Sequence, residues 1–162
     1  MRTILSAFLV LISLAAAAAA CPSITEGRQT FSVSGQYLYT PRSYGVVAGG
    51  GENLRNCGFN NTGYVISQPD FSFYTSGMGG YDRLEIEVTS AACDTVLLVN
   101  SANASWFFDD DSAGNMNPRV NLYGTSNTQG RVDVWVGTYG PPPARPRWKW
   151  KRGITDPRFR LF

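Results

Sequence analysis

Apolar and polar residues alternate with a period of two along much of the chain after residue 20. In the segments RLEIEV (83–88) and RVDVWV (131–136), every second residue is apolar and most of the others are charged. This alternation is typical of a β-strand with one buried face and one face in solvent. The segment VLLV (96–99) is apolar throughout and predicts a central strand of a sheet.

Weaker alternation marks further strand candidates, and turns rich in glycine, asparagine and serine separate them. These candidates are residues 29–33, 43–47, 64–66, 71–74, 105–108 and 119–122. No segment beyond residue 20 has a convincing helical period. Roughly eight or nine short strands of this kind predict an all-β fold, an antiparallel β-sandwich of jelly-roll-like type. We expect it to form one domain over residues 21–140.

The first 20 residues follow a different pattern. Arg2 precedes an apolar run over residues 4–14, and six alanines occupy residues 15–20. This layout predicts a signal peptide over residues 1–20 that is cleaved after Ala20, and therefore a secreted or periplasmic protein. The run is short for a transmembrane helix. Cleavage would place Cys21 first, where a bacterial lipoprotein carries its lipid, so lipid anchoring is an alternative.

Three cysteines are present, Cys21, Cys57 and Cys93, and the chain has no histidine. An exported protein meets an oxidising environment, which makes disulfides the first interpretation. The predicted pair is Cys21 with Cys57, which would tie down the N-terminus. Cys57 with Cys93 stays open, because spacing alone does not choose between them. Zinc is disfavoured, since no Cys-x-x-Cys spacing is present.

Charge divides the chain into an acidic body and a basic tail. Residues 21–140 contain six arginines against eleven acids, and residues 141–162 contain seven basic residues against one aspartate. The tail begins PPP and predicts a flexible segment that does not pair in the sheet. Its candidate surface-binding residues are Trp148, Lys149, Trp150, Lys151 and Arg152. They suit an anionic membrane or polysaccharide surface, whereas an exported protein rarely meets nucleic acid.

Three adjacent carboxylates occur in the segment WFFDDDSAGN. Calcium takes about six to eight oxygen ligands, so clustered Asp and Asn side chains with turn carbonyls supply suitable donors. The candidate ligands here are Asp109, Asp110, Asp111 and Asn115. An EF-hand is excluded, because Ala113 and Val120 stand where that loop needs oxygen ligands. The alternative is a solvated turn between two strands.

Catalytic groups are scarce. The absence of histidine removes the commonest general base, and both lysines lie in the tail. We therefore predict that the protein is not an enzyme. A carbohydrate platform is a further alternative, and its candidate aromatic residues are Trp106, Phe107, Phe108, Tyr123 and Trp135. Core packing is the expected role for most of them.

The segments YDRLEIEV, CDTVLLVNSANASWFFDDD, NPRVNL and GRVDVWVGTYG, all within residues 81–140, carry a family resemblance. Together they resemble the bacterial pre-peptidase C-terminal (PPC) domain family. The resemblance implies a secreted, non-enzymatic β-sandwich, often an accessory to a peptidase and sometimes calcium-binding or matrix-binding. It implies that the acidic loop is Asp109 to Asp111, and it adds Asp94, at the start of the preceding strand, to the candidate ligands.

The tail departs from that family pattern. Such domains continue past VGTY into a last strand, and the sequence after residue 140 is not of that kind. A frameshifted C-terminus would explain both the odd cysteine count and the change of charge. We then expect the sandwich to lack a strand and to leave an open edge.

These features predict an exported, non-catalytic β-sandwich that serves as a binding or accessory module. Its partner would be a cell-envelope or extracellular protein or glycan, and Ca²⁺ is the candidate cofactor. The alternative is an envelope-anchored interaction protein, held by lipid on Cys21 or by the basic tail on an anionic surface.

Overall fold

The computed structural model describes residues 20–89, 93–141 and 158–161, and β-strands dominate this part of the chain. In chain order the strands are β1 (Gln29–Ser34), β2 (Arg42–Gly45), β3 (Glu52–Asn53), β4 (Tyr64–Val65), β5 (Phe71–Ser76), β6 (Arg83–Thr89), β7 (Thr95–Asn100), β8 (Trp106–Asp109), β9 (Arg119–Tyr123), β10 (Gly130–Thr138) and β11 (Arg158–Leu161). Short helices α1 (Gly35–Leu38) and α2 (Thr125–Thr128) follow β1 and β9, and 3₁₀ turns cover Leu54–Cys57 and Met78–Gly80.

The strands form two sheets. In the large sheet β10 is central, with β5 and then β1 on one side and β7 and then β8 on the other. The short strands β4 and β3 continue from the last residue of β10, Thr138. The small sheet has the order β2, β11, β6, β9. The predicted all-β sandwich is confirmed. Strands β1 and β5 depart from a purely antiparallel arrangement. They are parallel, and the chain between them contributes β2 to the small sheet.

The main core lies between the two sheets. Leu84, Ile86 and Val88 of β6 point into it from the small sheet, and the alternate valines of β10 point into it from the large sheet. All of these side chains are fully buried. Full burial of a side chain of this size stabilises the fold by about 1.5 to 3 kcal/mol. The period-two pattern of the sequence therefore matches this core.

A second, smaller core covers the opposite face of the large sheet. It contains Leu54, Val65, Val96, Leu98 and Trp135, and the segment from the first 3₁₀ turn to β4 covers it. Strand β7 is consequently buried on both faces, as its uninterrupted apolar run predicts. The prediction of a solvent-facing side for β10 is wrong, because Asp133 is only 1% exposed.

The N-terminal segment lies against this outer face. A disulfide joins Cys21 to Cys57 with a Cα–Cα distance of 5.4 Å, and Cys93 is free and exposed. Backbone hydrogen bonds continue the attachment: Ser23 N donates to Ser67 O at 2.9 Å. The predicted disulfide is therefore present. Its formation uses the Cys21 sulfur that a lipid anchor would need.

Strand β11 corrects the expectation that the tail stays out of the sheet. Residues 158–161 pair antiparallel with β2 on one side and with β6 on the other. Their sequence, RFRL, alternates with a period of two, a local pattern that differs from the overall composition of the tail. The expected gap in the small sheet is thus filled. The rest of the predicted tail after residue 141 lies outside the described residues, as does the predicted signal peptide up to residue 19. No helix in the described part of the chain is long and apolar enough to cross a membrane.

Asp70, directly before β5, is a buried carboxyl that completes the hydrogen bonding of β10. The pairing of β10 with β5 ends at Val134. Two residues further on, the backbone N–H of Val136 donates to Asp70 Oδ2 at 2.9 Å. Asp70 is 5% exposed. Burial raises the pKa of Asp70 to about 7, although the Val136 hydrogen bond and Arg28 act in the opposite direction.

Substitution of Asp70 by Asn should remove a pH-dependent loss of stability. The folded protein keeps the Asp70 proton up to about pH 7, whereas the unfolded chain releases it near pH 4. Stability contributed by this group therefore falls as the pH rises between those values. Three pKa units correspond to a limit of about 4 kcal/mol. Asp70 borders a solvent-open groove, so we expect about half of that limit.

Urea unfolding of the wild type and Asp70→Asn at pH 5 and pH 8 measures this effect. The Asn side chain keeps an oxygen for Val136 N–H. Because pH 5 already lies about one unit above the pKa of the unfolded chain, the stability difference between the two proteins should grow by about 1 to 2 kcal/mol from pH 5 to pH 8. The exposed Asp82→Asn substitution is the matched control and should show no such trend. A constant difference for Asp70→Asn at both pH values would contradict the assignment.

Candidate functional site

The acidic loop, residues 109–118, crosses between the two sheets at one end of the sandwich. Asp109 is the last residue of β8 in the large sheet, where it pairs with Leu97. Arg119 is the first residue of β9 in the small sheet. Asp94 precedes β7 at the same end, and its carbonyl accepts a hydrogen bond from Tyr139 N at 3.1 Å. The topology therefore brings Asp94 next to the acidic loop.

Asp109 closes this loop through its own side chain. One carboxylate oxygen, Oδ2, accepts hydrogen bonds from Ser112 N at 3.0 Å and from Arg119 N at 2.8 Å. These two bonds join the start of the loop to its end. One of the two oxygens of this predicted ligand is thus engaged with the backbone.

A tight turn forms the rest of the loop. Gly114, Asn115 and Met116 have φ angles of 80°, 55° and 60°. Gly114 N donates to Asp111 O at 2.8 Å, and Met116 O accepts from Thr95 N at 3.2 Å. The turn is therefore held against the start of β7, beside Asp94. Asn115 is exposed at its tip.

The electrostatics of this end are dominated by negative charge. The pKa of Asp94 is raised, first by burial and then by the nearby charges of Asp111 and Asp110. The structure thus brings three of the predicted ligands, Asp94, Asp110 and Asp111, into one electrostatic cluster. Neighbouring negative charges disfavour the ionised form of each carboxyl group. A bound cation would therefore stabilise the ionised form of all three.

The neighbouring arginine does not neutralise the cluster. Arg119 Nε lies 3.0 Å from Glu87 Oε2, and its other nitrogen Nη2 lies 2.8 Å from the same oxygen. Glu85 is a further partner at 3.6 Å. Hydrogen bonding to Glu87 raises the pKa of Arg119. Among the described residues, the carboxylates of Asp94, Asp110 and Asp111 form no ion pair.

Two oxygen atoms in this region lack hydrogen-bond donors. Asp94 Oδ1 and Asn117 Oδ1 are shielded from solvent, and neither has a partner within the described chain. Buried acceptors are nearly always paired, with protein, water or an ion. Asn117 was not predicted as a candidate ligand. Its only sequence signal is its place in an Asn-Pro turn, which does not reveal that the side-chain oxygen is left unpaired.

The donor set at the acidic loop consists of oxygen atoms. The oxygens available are of the kind that calcium prefers: carboxylate, amide and backbone carbonyl. In the parts of the chain that the structure describes, no three acidic, His or Cys side chains stand together as a ready-made metal cluster. Asp111 is exposed, so its side chain has room to change rotamer. The donor types fit calcium, and binding requires a side-chain rearrangement.

The aromatic candidates do not form one exposed platform. Phe107 packs on the main core and Phe108 on the second core, while Trp135 is fully buried. Trp106 is 37% exposed, and its ring centroid lies 5.2 Å from those of both Phe59 and Trp135. Core packing is thus the role of most of these rings.

The predicted surface-binding residues of the tail, Trp148, Lys149, Trp150, Lys151 and Arg152, lie outside the described residues. No family model, curated protein or solved structure matches this chain. The resemblance to the PPC domain family therefore stays a prediction that rests on the motifs alone.

Proposed function

We propose that this protein is an exported, non-enzymatic β-sandwich that acts as a binding or accessory module and holds a calcium ion at its acidic loop. The observation that carries the proposal is the cluster of Asp94, Asp110 and Asp111 beside the unpaired oxygens of Asp94 and Asn117. Carboxylates without a cation and oxygens without a donor are both satisfied by the same ligand, a hard cation.

Calcium suits this loop better than magnesium. Magnesium demands nearly ideal octahedral geometry and keeps much of its water, whereas calcium accepts a larger and more flexible oxygen shell. The loop offers carboxylates from two separate segments, the amide oxygens of Asn115 and Asn117, and turn carbonyls. An ion held there would link the start of β7 to the connection between β8 and β9, and would thereby join the two sheets.

A binding role agrees with the rest of the chain. The disulfide and the signal-like N-terminus favour an oxidising, extracytoplasmic location. The absence of histidine disfavours acid–base catalysis. The family resemblance points in the same direction, towards an accessory module of the cell envelope or the extracellular space. Anchoring by lipid on Cys21 is not favoured, because the Cys21 sulfur is bonded to Cys57.

Thermal unfolding with and without calcium tests the proposal. Extracellular calcium modules bind with dissociation constants of about 0.1 to 1 mM. A ligand at about a hundred times its dissociation constant stabilises the folded state by about 2.7 kcal/mol, which raises the melting temperature by several degrees. Calcium at about 10 mM is roughly ten to a hundred times such a constant, so we expect a gain of about 1.4 to 2.7 kcal/mol, and a rise in melting temperature, when it replaces EDTA. The triple substitution Asp94→Asn, Asp110→Asn and Asp111→Asn should abolish the rise.

A second triple substitution controls for the loss of charge. Glu26→Gln, Glu52→Gln and Asp82→Asn remove the same charge from residues outside the loop and should leave the calcium response intact. Equal melting of the wild type in EDTA and in calcium would refute the proposal. A calcium response that survives in the loop variant would place the ion elsewhere.

A further inference from the structure

Strand β1 forms an edge of the large sheet in the part of the chain that the structure describes. Among those residues it pairs only with β5, in parallel, from Gln29 opposite Phe71 to Ser34 opposite Ser76, so one side of its backbone has no partner there. Gln29 N donates to Asp70 O at 3.1 Å, so residues 29, 31 and 33 direct their backbone groups towards β5. The N–H and C=O groups of Thr30 and Ser32 therefore point away from the sheet.

This edge lacks the features that usually prevent pairing with another strand. Native edge strands are commonly short, or carry lysine, proline or a bulge. Strand β1 is a regular six-residue strand, QTFSVS, with no charged residue and no proline. Thr30 and Ser32 are exposed. Its unpaired backbone is thus accessible to an extended chain.

An uncharged groove runs beside this edge. Its volume is about 510 Å³, and its lining consists of aromatic, aliphatic and serine side chains: Phe31, Val33, Tyr37, Tyr44, Tyr74 and three serines. The rings pack closely, with centroids 4.6 Å apart for Phe31 and Tyr44. A groove of packed rings and hydroxyl groups accepts apolar side chains and gives rigid contact area at a low cost in conformational entropy.

Cations stand near both ends of the edge. Arg28 directly precedes β1, and the guanidinium of Arg42 lies 3.9 Å from the ring centroid of Tyr37. Within the described chain, neither arginine forms an ion pair. A second copy of the chain, paired antiparallel through β1, would bring Arg28 of one copy towards Arg42 of the other. Repulsion between like charges disfavours that dimer and favours a ligand with acidic ends.

We propose that β1 binds an extended peptide segment of a partner protein by strand addition. The peptide backbone pairs with Thr30 and Ser32, alternate apolar side chains enter the groove, and acidic residues at its ends face Arg28 and Arg42. Backbone hydrogen bonds supply affinity in this mode, and the groove supplies specificity. The inference rests on the proposed role as a binding module and names the class of partner.

Selection from a display library of linear nine-residue peptides, followed by fluorescence anisotropy with the enriched peptides, tests this site. The matched variants are Ser32→Pro and Ser32→Ala. Proline removes the outward N–H of residue 32 and leaves the bonds between β1 and β5 in place, whereas alanine removes only the hydroxyl. We expect Ser32→Pro to weaken binding by at least about tenfold and Ser32→Ala to bind within about twofold of the wild type. The enriched peptides should alternate apolar and polar residues.

Three results would overturn the proposal: no enriched peptide, equal binding to Ser32→Pro and Ser32→Ala, or a wild-type dimer that Ser32→Pro dissociates. If Ser32→Pro fails to fold, two N-methylated forms of an enriched peptide replace it, one methylated at the odd residues and the other at the even residues. Only one of these sets of N–H groups pairs with β1, so one form should lose binding to the wild type. Equal binding of the two forms would contradict strand addition. The calcium response of each variant is measured separately, so failure of the ion site is distinguishable from failure of the peptide site.

Discussion

Replacement of Arg131 by methionine should lower the free energy of unfolding by about 3 to 5 kcal/mol. Asp133 is almost fully buried on the outer face of the large sheet. Arg131 holds its carboxylate through two bonds, Nε to Oδ1 at 2.9 Å and Nη2 to Oδ2 at 2.8 Å. The hydroxyl of Ser72 donates to Oδ1 at 2.5 Å. Without Arg131, a buried carboxylate remains with no cation, and urea unfolding at pH 7 measures the cost.

Two controls distinguish the loss of the partner of buried Asp133 from the loss of an ordinary surface charge. Arg83 pairs with Glu85 at 3.2 Å, and the Arg83 side chain is 51% exposed, so Arg83→Met should cost less than about 1 kcal/mol. The double variant Arg131→Met with Asp133→Leu should be markedly more stable than Arg131→Met alone, because it removes the unpaired charge as well. Similar costs for Arg131→Met and Arg83→Met would contradict this account of Asp133.

Loss of the Cys21–Cys57 disulfide should lower the free energy of unfolding by about 4 kcal/mol in the chain-entropy model. The two cysteines are 36 residues apart in the sequence, and the disulfide closes the loop between them. It also fixes the N-terminal segment whose Thr25 carbonyl accepts a hydrogen bond from Arg131. The variant to measure is Cys21→Ser with Cys57→Ser, by urea unfolding in a Cys93→Ser background that prevents exchange.

The Cys93→Ser substitution is itself the control for this prediction. Cys93 is exposed and unpaired, so its removal should change stability by less than about 0.5 kcal/mol. If the double serine variant unfolds within about 1 kcal/mol of that background, the N-terminal tether contributes little. The expectation that the disulfide stabilises the fold by fixing the N-terminal segment would then be wrong.

The sandwich was predictable where local pattern and tertiary environment agree. Strand β6 alternates strictly, β10 alternates except at Trp135, and β7 has an uninterrupted apolar run that two separate cores bury. The parallel pairing of β1 with β5 was not predictable, since a partner 42 residues away in sequence (Gln29 opposite Phe71) leaves no local signal. Strand β3, of two residues, is too short for any period to appear, whereas β4 lies within the predicted strand candidate 64–66.

The roles of the acidic and charged residues were also predictable only in part from the sequence. The acidic run is visible in the sequence, but the closing role of Asp109 and the unpaired oxygen of Asn117 depend on how the loop folds. Arg131 and Asp133 fit the polar face of an amphipathic strand. The burial of Asp133 follows from the N-terminal segment, where Gly27 N donates to Ser72 Oγ at 2.7 Å. A covering segment distant in sequence thus buries Asp133, while the Arg131 side chain stays 30% exposed.

Equilibrium dialysis with radioactive calcium tests the central claim most directly, because it counts bound ions without reference to stability. Binding to the wild type should approach one ion per molecule, with half saturation between about 0.1 and 1 mM. The variant Asp94→Asn, Asp110→Asn and Asp111→Asn should bind almost none, and the variant Glu26→Gln, Glu52→Gln and Asp82→Asn should bind as the wild type does. No calcium uptake by the wild type, or equal uptake by the loop variant, would contradict a cation site at the acidic loop.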